Sequence, residues 1–486
     1  GCIMIEKQKS TWFKAIIILA FMLLFGFLPP FGPVTADGMR VLGIFFGCIV
    51  AWSIGEIIWP SLLALVLLGF IGENTVGGMF TAAFGNQTLH MVFFCLLLCY
   101  GIEKSGLLEV ITKYILSRKF AQKGPWWLCF AFWSATAVAS AVTVATLAIC
   151  LLCWSLFYDI AKQLNMDKKS PYVSIVLIGI PVSAYLGGCV MPYNAFTQIC
   201  FGVLKSVAPE MQISFGAYVL TMAILTAIAL IVLPPFFKYI VRVKVDYNPT
   251  ADMLSGQAIK MNTKQKIVLG YIILLCAMLI LPYYLPKTWF LTQALNNLGF
   301  VGSFVLIIIA MQLTIRKDGE NLMDIGEAML KGIPYHLLFL VATALAVSGQ
   351  LTSPTTGISA LISSVLTPIV TGKSTFMLMF LLVVFGLVLT NVINNIVCIT
   401  LMVPVGLTFL ANGAGNPAVL VALFCMALYQ GIVTPAGSMF GAMLHGNTEW
   451  LRGVDVYKYG TLIEIILALI IGFIGVPLGS FLFSIM

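Results

Sequence analysis

The chain is 486 residues long, with 60% of its residues apolar (AVILMFWYC) and 9% charged. Soluble domains carry roughly 25% charged residues, so this composition excludes a water-soluble globule and predicts an integral, all-α, polytopic membrane protein. The net charge of +8 does not gather into a nucleic-acid patch but follows a sidedness described below.

The first apolar run, about 12–28, ends at Pro29-Pro30. Runs at 38–54 and 57–71 follow, then Thr88 to Glu103, then a partly polar helix at 107–118 suited to a membrane surface. Residues 126–158 form a first re-entrant hairpin candidate, with its tip near Ser140. A long apolar segment, 172–203, is interrupted at Gly187-Gly188 and Pro192, and 215–237 closes the unit. The stretch 238–266 is long and polar and reads as a cytoplasmic linker. The second half repeats the order at 267–285, 298–315, 333–349 and 357–370. A second hairpin candidate at 376–410 has Asn394-Asn395 near its tip, and a broken segment, 417–444, and a last span, 459–484, follow. The predicted division is 1–37 with an extra first helix, 38–237 as repeat 1, 238–266 as linker and 267–486 as repeat 2.

Three pairings mark the duplication: His90 with His336, Ser140 with Asn394, and Met191-Pro192 with Thr434-Pro435, at shifts of 246, 254 and 243. Each unit holds five spans and one hairpin, about 11 spans and two hairpins in all. An odd span number makes the second copy insert upside down, the arrangement that supports alternating access around a midplane site. With this trace, 22 of the 26 Lys and Arg fall on the cytoplasmic side, and only Arg40, Lys205, Lys287 and Lys373 lie outside. That bias predicts an N-in, C-out topology.

Of the 12 cysteines, most lie in apolar stretches, among them Cys48, Cys95, Cys129 and Cys425. There cysteine acts as a small hydrophobe. Cys150 and Cys153 have CxxC spacing, but no basic residue or His stands nearby in sequence to favour a thiolate.

Two stretches carry a resemblance. Asn86-Gln87-Thr88 through Glu103-Lys104-Ser105-Gly106-Leu107, and Leu177 through Gly188, resemble segments of the divalent anion:sodium symporters. Met191-Pro192-Tyr193-Asn194 and Thr434-Pro435-Ala436-Gly437 stand where that family carries its two Thr-Pro-Pro-Asn motifs. The resemblance covers nearly the whole chain and implies a homodimer that moves a transport domain against a scaffold, carrying di- or tricarboxylates or sulfate with sodium. The family places Ser-Asn-Thr at both hairpin tips; here the triplets are Ser140-Ala141-Val142 and Asn394-Asn395-Ile396, so the resemblance is to a divergent branch or to a related family of the wider ion-transporter clan.

The residues themselves point to the same region. Irregular backbone at membrane depth survives only where protein or water covers it, and helix N-termini favour anions without a buried cation. The candidate substrate ligands are Ser140, Thr143, Asn194, Asn394, Asn395, Thr434, Pro435 and Ser438. Candidate sodium ligands are Ser140, Gly188, Asn194, Asn395 and Gly431. The competing reading is that these small polar residues only glue helices together.

His90 and His336 occupy equivalent helix starts and read as packing or interface anchors, with a proton-coupling role as the sharper alternative. His445 reads as an interfacial residue, and Glu464 lies inside the last span, where an ionisable group is a functional candidate. No HExxH, GxSxG or Walker loop is present, so no enzyme chemistry is expected. The expected function is secondary transport of a small organic anion, a di- or tricarboxylate, across a prokaryotic plasma membrane by elevator-type, cation-coupled symport. Sodium-independent anion exchange and another small solute remain open alternatives, as does an ion channel. Lipid, the anionic substrate and a second copy of the chain are the expected partners, with sodium as a coupling ion and no nucleic acid.

Overall fold

The computed structural model describes the backbone of the chain except residues 1, 55, 144–145, 193, 212, 246–259, 284, 316–318, 371, 412–414 and 436. Side chains are further left aside at 2–10, 53, 122, 143, 195, 283, 363, 366–367, 369–370 and 411. Most of the expected linker thus lies outside the described residues.

The chain opens with α1 (Cys2–Leu19). The first half then runs α2 (Ala36–Ser53), α3 (Ile58–Leu68), α4 (Val76–Phe84), α5 (Gln87–Lys104) and α6 (Leu107–Leu116). It continues with α7 (Pro125–Thr143), α8 (Thr146–Gln163), α9 (Pro171–Gly188), α10 (Ala195–Val207) and α11 (Phe215–Pro235). The second half has α12 (Thr263–Ile280), α13 (Phe290–Leu313), α14 (Ile325–Lys331), α15 (Tyr335–Leu351) and α16 (Ile358–Val370). Last come α17 (Thr375–Val392), α18 (Asn395–Ala411), α19 (Pro417–Ala427), α20 (Met439–Gly446), α21 (Gly453–Leu469) and α22 (Val476–Ile485).

The all-helical expectation holds. Among the described residues, seven helices are long and apolar enough to cross a membrane, or nine if each of two bent pairs is one span. The bent pairs are α4 with α5, at 45°, and α14 with α15, at 76°, at equivalent places in the two halves. Shorter apolar helices, including α3, α10, α18 and α19, supply the remaining candidates toward the expected eleven.

Capping explains many helix starts. Side-chain oxygens of Thr35, Thr75, Asn86, Ser170, Asn194, Ser214, Asn262, Ser374, Asn416 and Ser438 each accept a hydrogen bond from a first-turn backbone N–H. Each cap serves a first-turn N–H that has no partner within its helix.

The centre is α9, which is 94% buried along its length, while α12 is 28% and α13 33% buried. The second pair is therefore peripheral, with Phe290, Ile273 and Leu313 exposed. Pro181 inside α9 has no N–H and leaves the carbonyl four residues earlier, Leu177, without its helical donor. Trp154 of α8 supplies that donor, Nε1 to Leu177 O at 3.0 Å, and Trp133 of α7 donates to Val176 O at 3.2 Å. Both arms of the first hairpin are thus pinned to α9. Glycine permits the approach: a Cβ on Gly187 would lie 2.0 Å from Ala137 O, and one on Gly179 2.1 Å from the Trp133 ring.

The hairpins correct one expectation. Ser140 lies inside α7, which continues to Thr143, and α8 begins at Thr146. Ala139, Ser140 and Ala141 contain no helix breaker, so the helix runs through them. Counted from helix ends, the hairpins match at a shift of 249, Thr143 with Val392 and Thr146 with Asn395, rather than 254. Asn394 therefore matches residue 145, and Ser140 matches Leu389.

Candidate functional site

Two breaks, 189–194 between α9 and α10 and 428–438 between α19 and α20, interrupt the buried segments. Each ends in a capping residue. Asn194 Oδ1 accepts from Phe196 N at 2.8 Å, and Ser438 Oγ accepts from Gly441 N at 3.2 Å. These caps stand 244 residues apart, so the partner of Asn194 is Ser438, not Gly437 as the Pro motifs suggest. A hydroxyl and a carboxamide do the same capping work, which hides the equivalence from a residue-by-residue comparison.

The same shift of 244 relates Tyr185 to Tyr429 and Phe196 to Phe440. These four rings form one stack across the two breaks. Tyr185 and Tyr429 have centroids 4.0 Å apart; Phe196 lies 4.0 Å from Tyr429, and Phe440 lies 4.6 Å from Tyr185. The contacts are reciprocal, as an internal two-fold requires.

Carbonyls left free at the end of α9 find side-chain donors on α11. Thr226 Oγ1 donates to Leu186 O at 3.0 Å, and Tyr218 Oη to Cys189 O at 2.6 Å. In the second half Thr390 Oγ1 donates to Leu428 O at 2.7 Å. The breaks are therefore braced rather than loose.

Each hairpin sends the N-terminus of its second arm to the break of its own half. A Cβ on Gly188 would meet Asn194 Nδ2 at 3.0 Å and Thr146 Cγ2, at the start of α8, at 3.1 Å. In the other half Asn395 N, at the start of α18, donates to Gly437 O at 3.0 Å, and Asn394 Oδ1 accepts from Ile396 N at 3.0 Å. Positive helix ends and neutral polar groups surround both breaks.

The candidate residues divide by how fully they are bonded. Thr434 Oγ1 donates to Asn391 O, and Ser438 Oγ donates to Gly431 O while capping α20. Both hydroxyls hold the second break in shape. Pro435 is exposed, Asn394 half-buried and Asn395 7% exposed. The Thr143 side chain lies outside the described set. Ser140 Oγ and Asn194 Nδ2 are buried and have no hydrogen-bond partner among the described residues. The same holds for both polar atoms of Gln430, which is 0% exposed. A buried polar atom left unbonded costs about 1–3 kcal/mol, a standing cost that a ligand's oxygens would relieve at Ser140 Oγ, Asn194 Nδ2 and Gln430 Nε2.

Oxygens also converge in the second break. A Cβ on Gly431 would lie 2.6 Å from Thr390 O and 2.9 Å from Gly437 O. Among the described residues no three His, Cys, Asp or Glu gather to hold a metal; a cation here would rest on neutral oxygens. The Gly187 carbonyl is already taken, by Val190 N at 3.1 Å.

A family model described as citrate transporter matches residues 2–428, most of the chain. The chain belongs to the citrate transporter family. The fold is similar to that of the Alcanivorax borkumensis YdaH transporter, whose crystal structure was reported to have an unusual topology. The identity is 13%, the TM-score 0.56, and the match covers 91% of this chain and 97% of that one. No curated protein gives a significant sequence match. The resemblance drawn from sequence therefore stands as that of a divergent member, and this is a multi-pass membrane transporter, not an enzyme.

The transporter also holds polar residues that its sequence did not single out. Gln430 is a lone amide in the apolar run 417–433, a signal open to being read as helix glue. Asn391 lies inside α17 and joins three elements. Its Nδ2 donates to both carboxylate oxygens of Glu464 on α21, at 2.8 and 2.7 Å, and its Oδ1 accepts from Val433 N at 2.8 Å. Glu464 thus braces the second break through Asn391. Of the histidines, only His445 touches a break. His90 is exposed and contacts Phe84 O at 2.9 Å; His336 is exposed; His445 contacts Val433 O at 2.9 Å and packs on Tyr457.

Proposed function

We propose that this transporter moves citrate or a closely related di- or tricarboxylate through a site between the two breaks. The single observation behind this reading is the set of buried, unbonded groups at Ser140, Asn194 and Gln430, next to the N-termini of α8 and α10. Two of the three are amides, each with N–H donors to offer. Such neutral donors and helix ends suit a carboxylate that must be released again, because a buried Lys or Arg would hold it too strongly.

The reading extends to the machine. The two halves, 38–237 and 267–486, act as inverted repeats about a linker at 238–266, after an extra helix within 1–37, with the N-terminus inside and the C-terminus outside. Transport proceeds by an elevator motion in a homodimer in a prokaryotic inner membrane. Coupling is to a cation, with sodium held by oxygens near Ser140, Gly188, Asn194, Asn395 and Gly431; the carbonyls converging on Gly431 support that placement. Anion exchange is the second reading, supported by the divergence of both hairpin triplets from Ser-Asn-Thr. A channel is disfavoured because both breaks are braced and packed around a four-ring stack.

Uptake of labelled citrate into proteoliposomes, under imposed sodium, proton or counter-anion gradients, tests the proposal. Saturable uptake driven by one cation gradient supports symport. Uptake driven only by internal anion supports exchange, and no carboxylate uptake under any gradient rejects the substrate class.

A further inference from the structure

A cavity of about 990 Å³ lies between α5, α10, α11, α12 and α13, away from the unbonded groups of the breaks. Its charged side chains are Lys205 on α10 and Lys287 between α12 and α13, and no Asp or Glu side chain lines it. Neither lysine makes an ion pair among the described residues. Gln87, in the first turn of α5, and Ser214, the cap of α11, also line it, so two helix N-termini add positive potential. Asn296 of α13 contributes a further amide. On α13 the cavity is lined at a kink by Gly299, whose φ of 57° no ordinary helical residue adopts.

The cavity is connected to the site. Gln198 lines it, is 3% exposed, and donates through Nε2 to Pro192 O in the first break. One turn of α10 separates Gln198 from Asn194. Both lysines fall on the side that the charge bias assigns to the exterior.

We propose that this cavity is an entry vestibule that captures multivalent carboxylate anions and passes them along α10 to the break at Asn194. Two like charges facing one space repel each other, and a visiting polyanion turns that repulsion into attraction. Clefts of one sign with low-dielectric walls raise local counter-ion concentration and on-rate. The inference rests on the anion-transport reading. It adds that Lys205 and Lys287 set apparent affinity by attraction rather than by direct contact at the break. An anionic lipid headgroup has the same chemistry as a soluble polyanion and is the competing occupant.

The test is citrate uptake by Lys205→Gln, Lys287→Gln and the double variant in vesicles of purely zwitterionic lipid, with Lys373→Gln as a control away from the cavity. The expected result is a rise in KM of about tenfold for the double variant, with the main effect on KM rather than on maximal rate. The difference should shrink toward one as ionic strength rises, and Lys→Arg at both positions should restore the low KM. Each single variant should show part of the rise, which keeps the test intact if the double variant folds poorly. An unchanged KM in all lysine variants, with wild-type uptake intact, overturns the vestibule but leaves the transport proposal standing. A KM effect that appears only when anionic lipid is added also overturns it, by assigning the cavity to lipid. Absence of wild-type citrate uptake rejects the transport reading itself.

Discussion

Tyr185 and Tyr429, 244 residues apart, stack with their ring centroids 4.0 Å from each other at the junction of the two breaks. Phe196 and Phe440 extend the stack reciprocally on either side. The rings pack the two interrupted segments against each other, while side-chain hydroxyls serve the carbonyls freed there. Tyr185→Ala should lower stability by about 3 kcal/mol, read as a fall in thermal unfolding temperature in detergent. Tyr185→Phe keeps the ring and should lose under about 1.5 kcal/mol.

Asn194 has two separable jobs. Its Oδ1 caps α10, and its Nδ2 is unbonded. Asn194→Asp keeps a capping oxygen but replaces the donor with an acceptor that bears negative charge. Asp caps as well as Asn but its buried charge lowers stability, and citrate binding should fall by at least about tenfold, the loss of roughly 1.4 kcal/mol. Ligand-induced thermal stabilisation measures both. Retained stabilisation by citrate in this variant would remove Asn194 from the site.

Gln430 makes an opposite demand on stability and function. Replacing a buried amide whose atoms are all unbonded with an apolar side chain of similar size removes a desolvation penalty. Gln430→Leu should therefore raise the unfolding temperature, by the equivalent of about 1–3 kcal/mol, and reduce citrate uptake. A more stable variant with unimpaired uptake would show that the amide serves no ligand.

Glu464 and Asn391 form the brace of the second break. Glu464→Gln keeps an acceptor oxygen for Asn391 Nδ2 and should cost little stability. Glu464→Leu removes both acceptors and should cost about 1–3 kcal/mol, and Asn391→Leu should cost more because Val433 N also loses its partner. A double-mutant cycle on unfolding temperature checks the link; strictly additive effects would show that the two side chains do not act together.

A clasp joins the loops after α8 and α20. Trp450 stacks on Tyr158 at 4.5 Å, Lys169 N donates to Trp450 O at 3.2 Å, and Lys168 pairs with Glu449. Lys168 beside it holds the Glu449 carboxyl below the ordinary carboxylate range. A carboxyl depressed on folding contributes stability above its unfolded pKa of about 4.3, and that contribution fades as pH falls through the folded value. The difference in unfolding temperature between wild type and Glu449→Gln should thus be present at neutral pH and vanish in acid. A difference that grows on acidification contradicts the pairing.

The hairpins show how far the sequence reads on its own. Expected at 126–158 and 376–410, they occupy 125–163 and 375–411, because long apolar runs bounded by polar or Pro-bearing stretches are a local signal. Composition likewise settled the membrane-embedded, helical class, since a chain with so few charges has no polar surface to show water. The repeat was visible too, but its register was not. Ser140 pairs with Leu389 rather than Asn394, and Asn194 with Ser438 rather than Gly437, because helix ends and caps follow geometry that different side chains satisfy equally.

What only the tertiary structure decided is which polar groups are spent and which are free. In sequence, Thr434, Ser438, Asn194 and Gln430 look alike, as small or polar interruptions of apolar runs. Folding consumes the first two in bonds to Asn391 O and Gly431 O and leaves Asn194 Nδ2 and both polar atoms of Gln430 buried and unbonded. The Thr434 bond spans 43 residues and the Asn391 bond to Glu464 spans 73. Hydrophobic burial is written residue by residue along the chain, whereas hydrogen-bond satisfaction belongs to pairs, and the pairs exist only once the chain has folded.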